Sequence, residues 1–589
     1  MDKKKNRQMI QKLMLSLLPI QVLLAVTGAL SSFISGYFAS NFVGIDAMSA
    51  VGLFAPINML IGAVGTIIAG GSAIICGKYL GANQKNKLHQ VFSLDLMLAF
   101  IVSLLLTLVF GVMGLLGSGS LFTRDEIVRP VFDRYLLGQS FGIIPRVLTY
   151  QLPIFLSMES QSKRSLGSSI VYIILNGILN FVFVQFLHTE EMGLALANSI
   201  SLWILFIIQL DYFMSERSML RFALWLIDWK RIPEIIKVGF PGAATYIYQT
   251  LRGLIVNGLL ESYIGSIAIS AFATSNNIMS LFWAIPTGMQ AVSRLLITVS
   301  VGEEDRETLC NIMRIVFTRY IPIMLGVDLC IFLMADPLTS LFYRDAASEV
   351  FRMSADGLRI LPWCMPLSII LMVFISYYQS VGKTLLINFL SILDGVFDVV
   401  LFSWLLISSM GINGVYWANI FNGVVTTFVI ILHACIANRK IPVNMEELLA
   451  IPKDLGVDED NRIDISVSSM EDVVSVSRSV QEFCRQKGID EKRSYLAGLA
   501  TEEMAGNVID HGFVKDNKEH NIDIRVTYKD DSVLLRIKDD CVPFDPKTRS
   551  EITDPSDPTK NIGVRMIYKI MHDIDYQNIL GLNVLTIRV

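Results

Sequence analysis

Glu503, Asn507 and His511 recur at i, i+4 and i+8 in TEEMAGNVIDHG, Thr501–Gly512. On a helix the three share one face, each about 40° further round the axis than the last. A carboxylate and a carboxamide one turn apart can hold a divalent cation together with its waters. Further along, Asp539 closes an alternating run where a loop begins (IKDDCVPFDP), and Gly563 in KNIGVRMI opens a new helical pattern. A glycine at a helix start lets a phosphate reach free N–H groups and the positive end of the helix dipole. Each residue alone has an ordinary reading: a solvated acid, a polar surface amide, a helix-ending histidine. Together and in this order they predict a nucleotide site with a divalent cation.

The elements that must position these residues are legible from periodicity. Ile463–Ser468 alternates as a strand, followed by helical patterns near 470–487 and 491–511. Two more alternating runs, Ile522–Lys529 and Ser532–Asp539, flank a hairpin turn at Asp530-Asp531. The polar stretch Asp545–Asn561, with three prolines and no apolar face, reads as a lid. A helix near 562–572 and the strands IDYQNI and NVLTIRV finish an α/β sandwich with a mixed sheet over 461–589, behind a linker at 441–460.

This segment resembles the GHKL (Bergerat-type) ATP-binding fold of histidine kinases, gyrase and anti-sigma-factor serine kinases, and the serine kinases most of all. The resemblance implies that Asn507 holds Mg²⁺ and that Glu503 is the general base of active members. It implies that Asp539 accepts from the adenine amino group, that Gly563, leading into Val564, belongs to the phosphate loop, and that Thr586 lies beneath the base. His511 matches the histidine of the same helix motif. Cys541 and Asn561 stand where the family has glycines. Serine/threonine kinase or ATPase activity is open on this reading. A P-loop motor is excluded, because no G-x-x-x-x-G-K-[ST] is present.

The rest of the chain is of another composition. Of 589 residues, 53% are hydrophobic and 17% charged, with charge concentrated beyond Ala437. Soluble domains run nearer a quarter charged, so a membrane domain with a polar appendage is expected. The net charge of −4 argues against nucleic acid as a partner. The seven cysteines show no CxxC spacing and read as small buried hydrophobes in a reducing compartment. About twelve apolar runs have bilayer-spanning length, six in a lobe over 1–230 and six over 231–440. Lys and Arg concentrate before the first run and after the even-numbered ones. The positive-inside rule then puts both termini of a multi-pass cell-membrane protein in the cytoplasm.

The two lobes repeat. Phe42–Val51 answers Tyr263–Phe272, Asn176–Asn180 (NGILN) answers Asp394–Asp398 (DGVFD), and LFTRD answers LFYRD, all at an offset of about 220 residues. Val51–Leu88 and the ILNGILNFVFV and MGLALANSIS segments resemble the multidrug and toxic compound extrusion (MATE) carriers. That resemblance implies export of a small organic substrate coupled to a cation, H⁺ or Na⁺. It also implies a first-helix acid, but Ser35 stands there. Ionisable residues at membrane depth are costly and default to function, so Asp398, Asp394 and Asp328 become the coupling candidates, and Asp95 reads as a structural contact.

Three functions fit these features. One is a MATE-like exporter with a regulatory ATP-binding module. The second is a membrane sensor whose carrier-like domain switches a serine-kinase-like module on a soluble partner. The third is a flippase for lipid-linked substrates.

Overall fold

The computed structural model describes residues 3–43, 45–122, 126–215, 217–343, 345–452, 455–513, 520–529, 531–542, 562–571 and 573–589. The expected lid over 545–561, with Asn561, lies outside these residues, as do Arg124 and Arg344.

Apolar sequence and bilayer-scale length make the first 440 residues helical almost throughout. The first half contains helices Lys3–Phe38, Ile45–Gly81, Lys85–Leu115, the pair Val128–Ser140 and Ile143–Met158, then Ser162–Phe181 and Glu190–Met214. The second half repeats the order from Ile232–Tyr263 to Ile412–Asn438. Among the described residues ten helices are long and apolar enough to cross a membrane, eleven if the pair bent by 47° is one span. Ile232–Tyr263, expected as a span, is helical, and its described stretches are each too short to be counted among them. Leu104, Leu105, Leu108 and Val109 point outward. Water would penalise such a face, whereas hydrocarbon does not.

The halves meet through glycines. A side chain at Gly81 would strike the Val299 carbonyl, and one at Gly302 would strike the Lys78 carbonyl. These glycines end equivalent helices of the two halves, Ile45–Gly81 and Ala284–Gly302, so the helices touch backbone to backbone at that end.

Beyond the linker, β1 (Arg462–Val467), β2 (Ile522–Lys529), β3 (Ser532–Asp539), β4 (Ile574–Ile579) and β5 (Leu582–Arg588) form one sheet in the order β1-β2-β3-β5-β4. All its pairs are antiparallel, which corrects the expected mixed sheet. The chain crosses over after β3, so β5 rather than β4 lies beside it. Helices Met470–Gln486, Glu491–His511 and Ile562–Ile570 supply the apolar layer. Val473, Val480, Ala497, Ala505, Val564 and Ile567 close over Ile524, Val526, Leu535 and Ile537. The opposite sheet face is polar, carrying Asp464, Asp523, Arg525, Arg536, Lys538 and Gln577. It rests on the membrane domain.

Candidate nucleotide site and membrane carboxylates

The motif helix starts at Asp490, whose side chain accepts from the Arg493 N–H at 3.0 Å, and its last carbonyls are met at Gly512, whose N–H donates to Val508 O. Between these caps Glu503 and Asn507 lie half-buried toward the sheet, while His511 is exposed in the last turn. Asn507 Nδ2 donates to Glu503 O at 2.6 Å. Its amide nitrogen is thereby committed to the helix, and Oδ1 is left as the ligating atom.

A cleft opens between this helix and the sheet, lined by Met504, Asn507, Ile537, Asp539, Val564 and Asn583 among others. Asp539 and Asn583 are register partners on β3 and β5. Asn583 Nδ2 donates to Asp539 Oδ1 at 2.7 Å, as does the Cys541 N–H at 3.0 Å. Tyr576 Oη in turn donates to Asn583 Oδ1 at 2.7 Å. Burial pushes the Asp539 carboxyl upward, against the hydrogen bonds from Asn583 and Cys541.

Gly563 sits at the start of the helix Ile562–Ile570, beside the motif helix. A Cβ there would collide with the Glu503 carboxylate. Glu503 therefore occupies the approach to the helix start. Burial, and then the neighbouring Glu502, push its carboxyl above the usual range.

Of the residues singled out from sequence, Asn507, Asp539 and Val564 line the cleft, Glu503 and Gly563 meet each other outside its lining, and two lie elsewhere. His511 is not among the cleft-lining residues. Thr586, expected beneath the base, pairs with Arg536 and Asp575. It therefore points to the opposite face, because side chains alternate along a strand and Thr586 is three residues from Asn583. Asn583 and Tyr576 take the polar positions in the cleft, and the sequence reading missed both.

The donor set fits a purine nucleotide with a hydrated divalent cation. A buried carboxylate is anchored from one side, an amide oxygen is available for the cation, and a helix start is free of Cβ.

In the membrane half, Asp328 is fully buried and neither carboxylate oxygen has a hydrogen-bond partner among the described residues. Asp398 is 3% exposed, with Oδ2 unpartnered. Asp394 differs, since Asn422 Nδ2 donates to its Oδ1 at 2.8 Å. Asp394 lies in the π-helical turn Leu393–Phe397, a local widening common at functional sites. The counterparts Asn176 and Asn180 are both buried and bond each other at 2.8 Å. Asp95 is fully buried beside Ser72, the structural contact expected of it.

A MatE family model matches residues 22–182 and 241–404, more than half of the chain, and a histidine kinase-like ATPase domain model matches 467–589. The chain belongs to the MatE family and carries a C-terminal histidine kinase-like ATPase domain. It is 22% identical over 346 residues to a probable multidrug resistance protein NorM of Halalkalibacterium halodurans, covering 56% of this chain and 73% of that one. It is 23% identical over 440 residues to the multidrug export protein MepA of Staphylococcus haemolyticus, covering 72% and 94%. The structure of a mutant of the Vibrio cholerae MATE transporter VcmN superposes with a TM-score of 0.67 at 18% identity, over 72% of this chain and 97% of that one. The chain is thus a multi-pass membrane protein of MATE type, built as a transporter.

Proposed function

We propose that this chain is a cation-coupled exporter of small organic compounds whose ATPase-like domain, on the cytoplasmic side, binds Mg²⁺ and ATP and regulates transport. The observation that carries the regulatory part is the convergence of Asn507, Asp539 and Asn583 on one cleft, with Val564 of the Gly563-led helix in its wall, in a domain that rests on the carrier itself.

Each residue has a role by its chemistry. Asp539, buried and braced by Asn583, accepts from an exocyclic amino group, which favours adenine. Asn507 Oδ1 would hold the hydrated cation, and the Gly563 backbone would receive phosphate once the Glu503 carboxylate swings aside. Bound Mg²⁺ neutralises the charge of the phosphates. Glu503, with its affinity for protons raised, is the group placed to accept a proton.

In the membrane, Asp328 and Asp398 are the groups able to exchange a cation or proton. A buried carboxylate without a hydrogen-bond donor is costly to keep ionised. They stand in for the acid that Ser35 does not provide.

Two measurements test this reading. The purified full chain should bind a fluorescent ATP analogue in the presence of Mg²⁺, and Asn507→Ala should weaken that binding at least about tenfold. Proteoliposomes should accumulate a cationic dye under an imposed H⁺ or Na⁺ gradient, and Asp328→Asn or Asp398→Asn should abolish this. Dye movement indifferent to both gradients and both substitutions would remove the exporter reading.

A further inference from the structure

The polar face of the sheet does not touch one half of the carrier but both, and at equivalent places. Loop 81–85 of the first half and loop 302–306 of the second (GANQK and GEEDR) follow the equivalent helix ends Gly81 and Gly302. On the first loop, Lys85 pairs with Asp575 of β4, and Gln577 donates to Asn83 Oδ1. On the second, Glu303 pairs with Lys538 of β3 and Asp305 with Arg525 of β2. Glu303 and Asp305 are 8% and 3% exposed, so these are ion pairs removed from water. Burial alone would raise the Asp305 carboxyl, but Arg525, Lys538 and two hydrogen bonds from Thr308 hold it well below the usual range.

A third contact is apolar. The β4–β5 turn presents Ile579 and Leu580, 4% and 3% exposed, against Met9, Ile10 and Leu13 of the first helix and Leu296 of the second half. Leu580 has φ +56°. A β-hairpin turn at such angles favours Asn or Gly. A leucine here is explained by what it packs against.

We propose that the ATPase-like domain is a lock across the two halves of the carrier, bridging their equivalent loops so that the halves part on that side only when the bridge on one of them breaks. In alternating access, the halves of a duplicated bundle rock against each other. The Gly81–Gly302 contact beneath the domain is the closed form of that junction. The bridge is also wired to the cleft. Lys538 precedes Asp539 on β3, and Val584, which faces the carrier, follows Asn583 on β5. Occupation of the cleft therefore acts on the strands that hold the carrier, and by linkage the parting of the halves acts back on nucleotide affinity. This last step rests on the nucleotide reading given above, whereas the lock does not.

The test uses the full chain in nanodiscs, with Cys330 and Cys435 replaced by Ser and spin labels at Asn86→Cys and Arg314→Cys, one in each half. Pulsed dipolar spectroscopy should show a single short-distance population. Lys538→Glu should raise the long-distance fraction at least about threefold, and Lys538→Glu/Glu303→Lys should return it. Retained binding of a non-hydrolysable ATP analogue with Mg²⁺ shows that the variant domain is folded. A distance distribution unmoved by Lys538→Glu overturns the lock.

As a second measurement, reducible thiol cross-linking of Asn83→Cys to Gln577→Cys, together with Asp305→Cys to Arg525→Cys, should hold the short distance under a transport gradient until reductant is added. A long-distance population in the cross-linked protein overturns the proposal too. If Lys538→Glu opens the junction but the ATP analogue leaves the wild-type distribution unchanged, the lock stands and the nucleotide-regulation reading fails.

Discussion

Lys538 and Asp539 are consecutive residues of β3 that face opposite ways: Lys538 is paired with Glu303 of the membrane domain, and Asp539 is hydrogen-bonded to Asn583 in the cleft. Strand alternation makes this unavoidable, and it separates the two activities cleanly enough for mutation. Asp539→Asn should lower ATP affinity about 10- to 100-fold, since a hydrogen bond to a buried charged group contributes roughly 1.5–3 kcal/mol. The spin-label distances without nucleotide should stay those of the wild type. Fluorescence titration and pulsed dipolar spectroscopy on one sample check both.

Gly563→Ala should disturb the domain from inside. Its methyl meets the Glu503 carboxylate, and overpacking of this kind costs about 1–3 kcal/mol. Thermal unfolding should therefore move down, and Glu503→Ala in the same chain should recover most of the loss. A double-mutant cycle with no coupling between the two would mean that the contact is not as described.

Asp523 sets a pH signature. Burial, followed by the nearby Asp305 charge, pushes its carboxyl up to about 7, against the pull of Lys538 and Arg525. A raised folded value means stability that is complete below the unfolded value and lost as pH rises through the folded one. The wild type should therefore lose this contribution between about pH 4 and pH 7, and Asp523→Asn should not. The melting temperature of Asp523→Asn relative to wild type should rise from pH 5 to pH 8. A constant difference across that range contradicts the assignment.

Leu580 separates strain from packing. Leu580→Asn relaxes the left-handed turn but removes a buried side chain worth about 1.5–3 kcal/mol. The domain should keep its fold while detaching from the carrier. The readout is faster cleavage of the 441–460 linker by protease, with the ATP analogue still bound by the variant.

Much of this was written in local pattern. The motif helix ran from Asp490 to Gly512 as its caps require, and the β2–β3 hairpin matched its alternation residue for residue. Thr586 failed for a local reason. Register fixes which face a residue takes, and a slip of one residue reverses it. Here the register is set by a turn at Leu580-Gly581, and nothing marks a leucine as a turn residue. The docking face was not legible, for a non-local reason. Arg525, Arg536 and Lys538 alternate as a solvent face would, and their partners Glu303 and Asp305 lie more than two hundred residues away. Among the described residues ten helices, or eleven with the bent pair as one, have spanning length and composition, against about twelve expected.

The most direct test of the whole account is dye export by proteoliposomes with Mg²⁺ and ATP present only on the face that carries the ATPase-like domain, for wild type and Asn507→Ala. The account predicts gradient-driven transport in both proteins, with a rate that changes at least about threefold with nucleotide in the wild type and not at all in Asn507→Ala. A wild-type rate indifferent to nucleotide, or an equal response in Asn507→Ala, contradicts it.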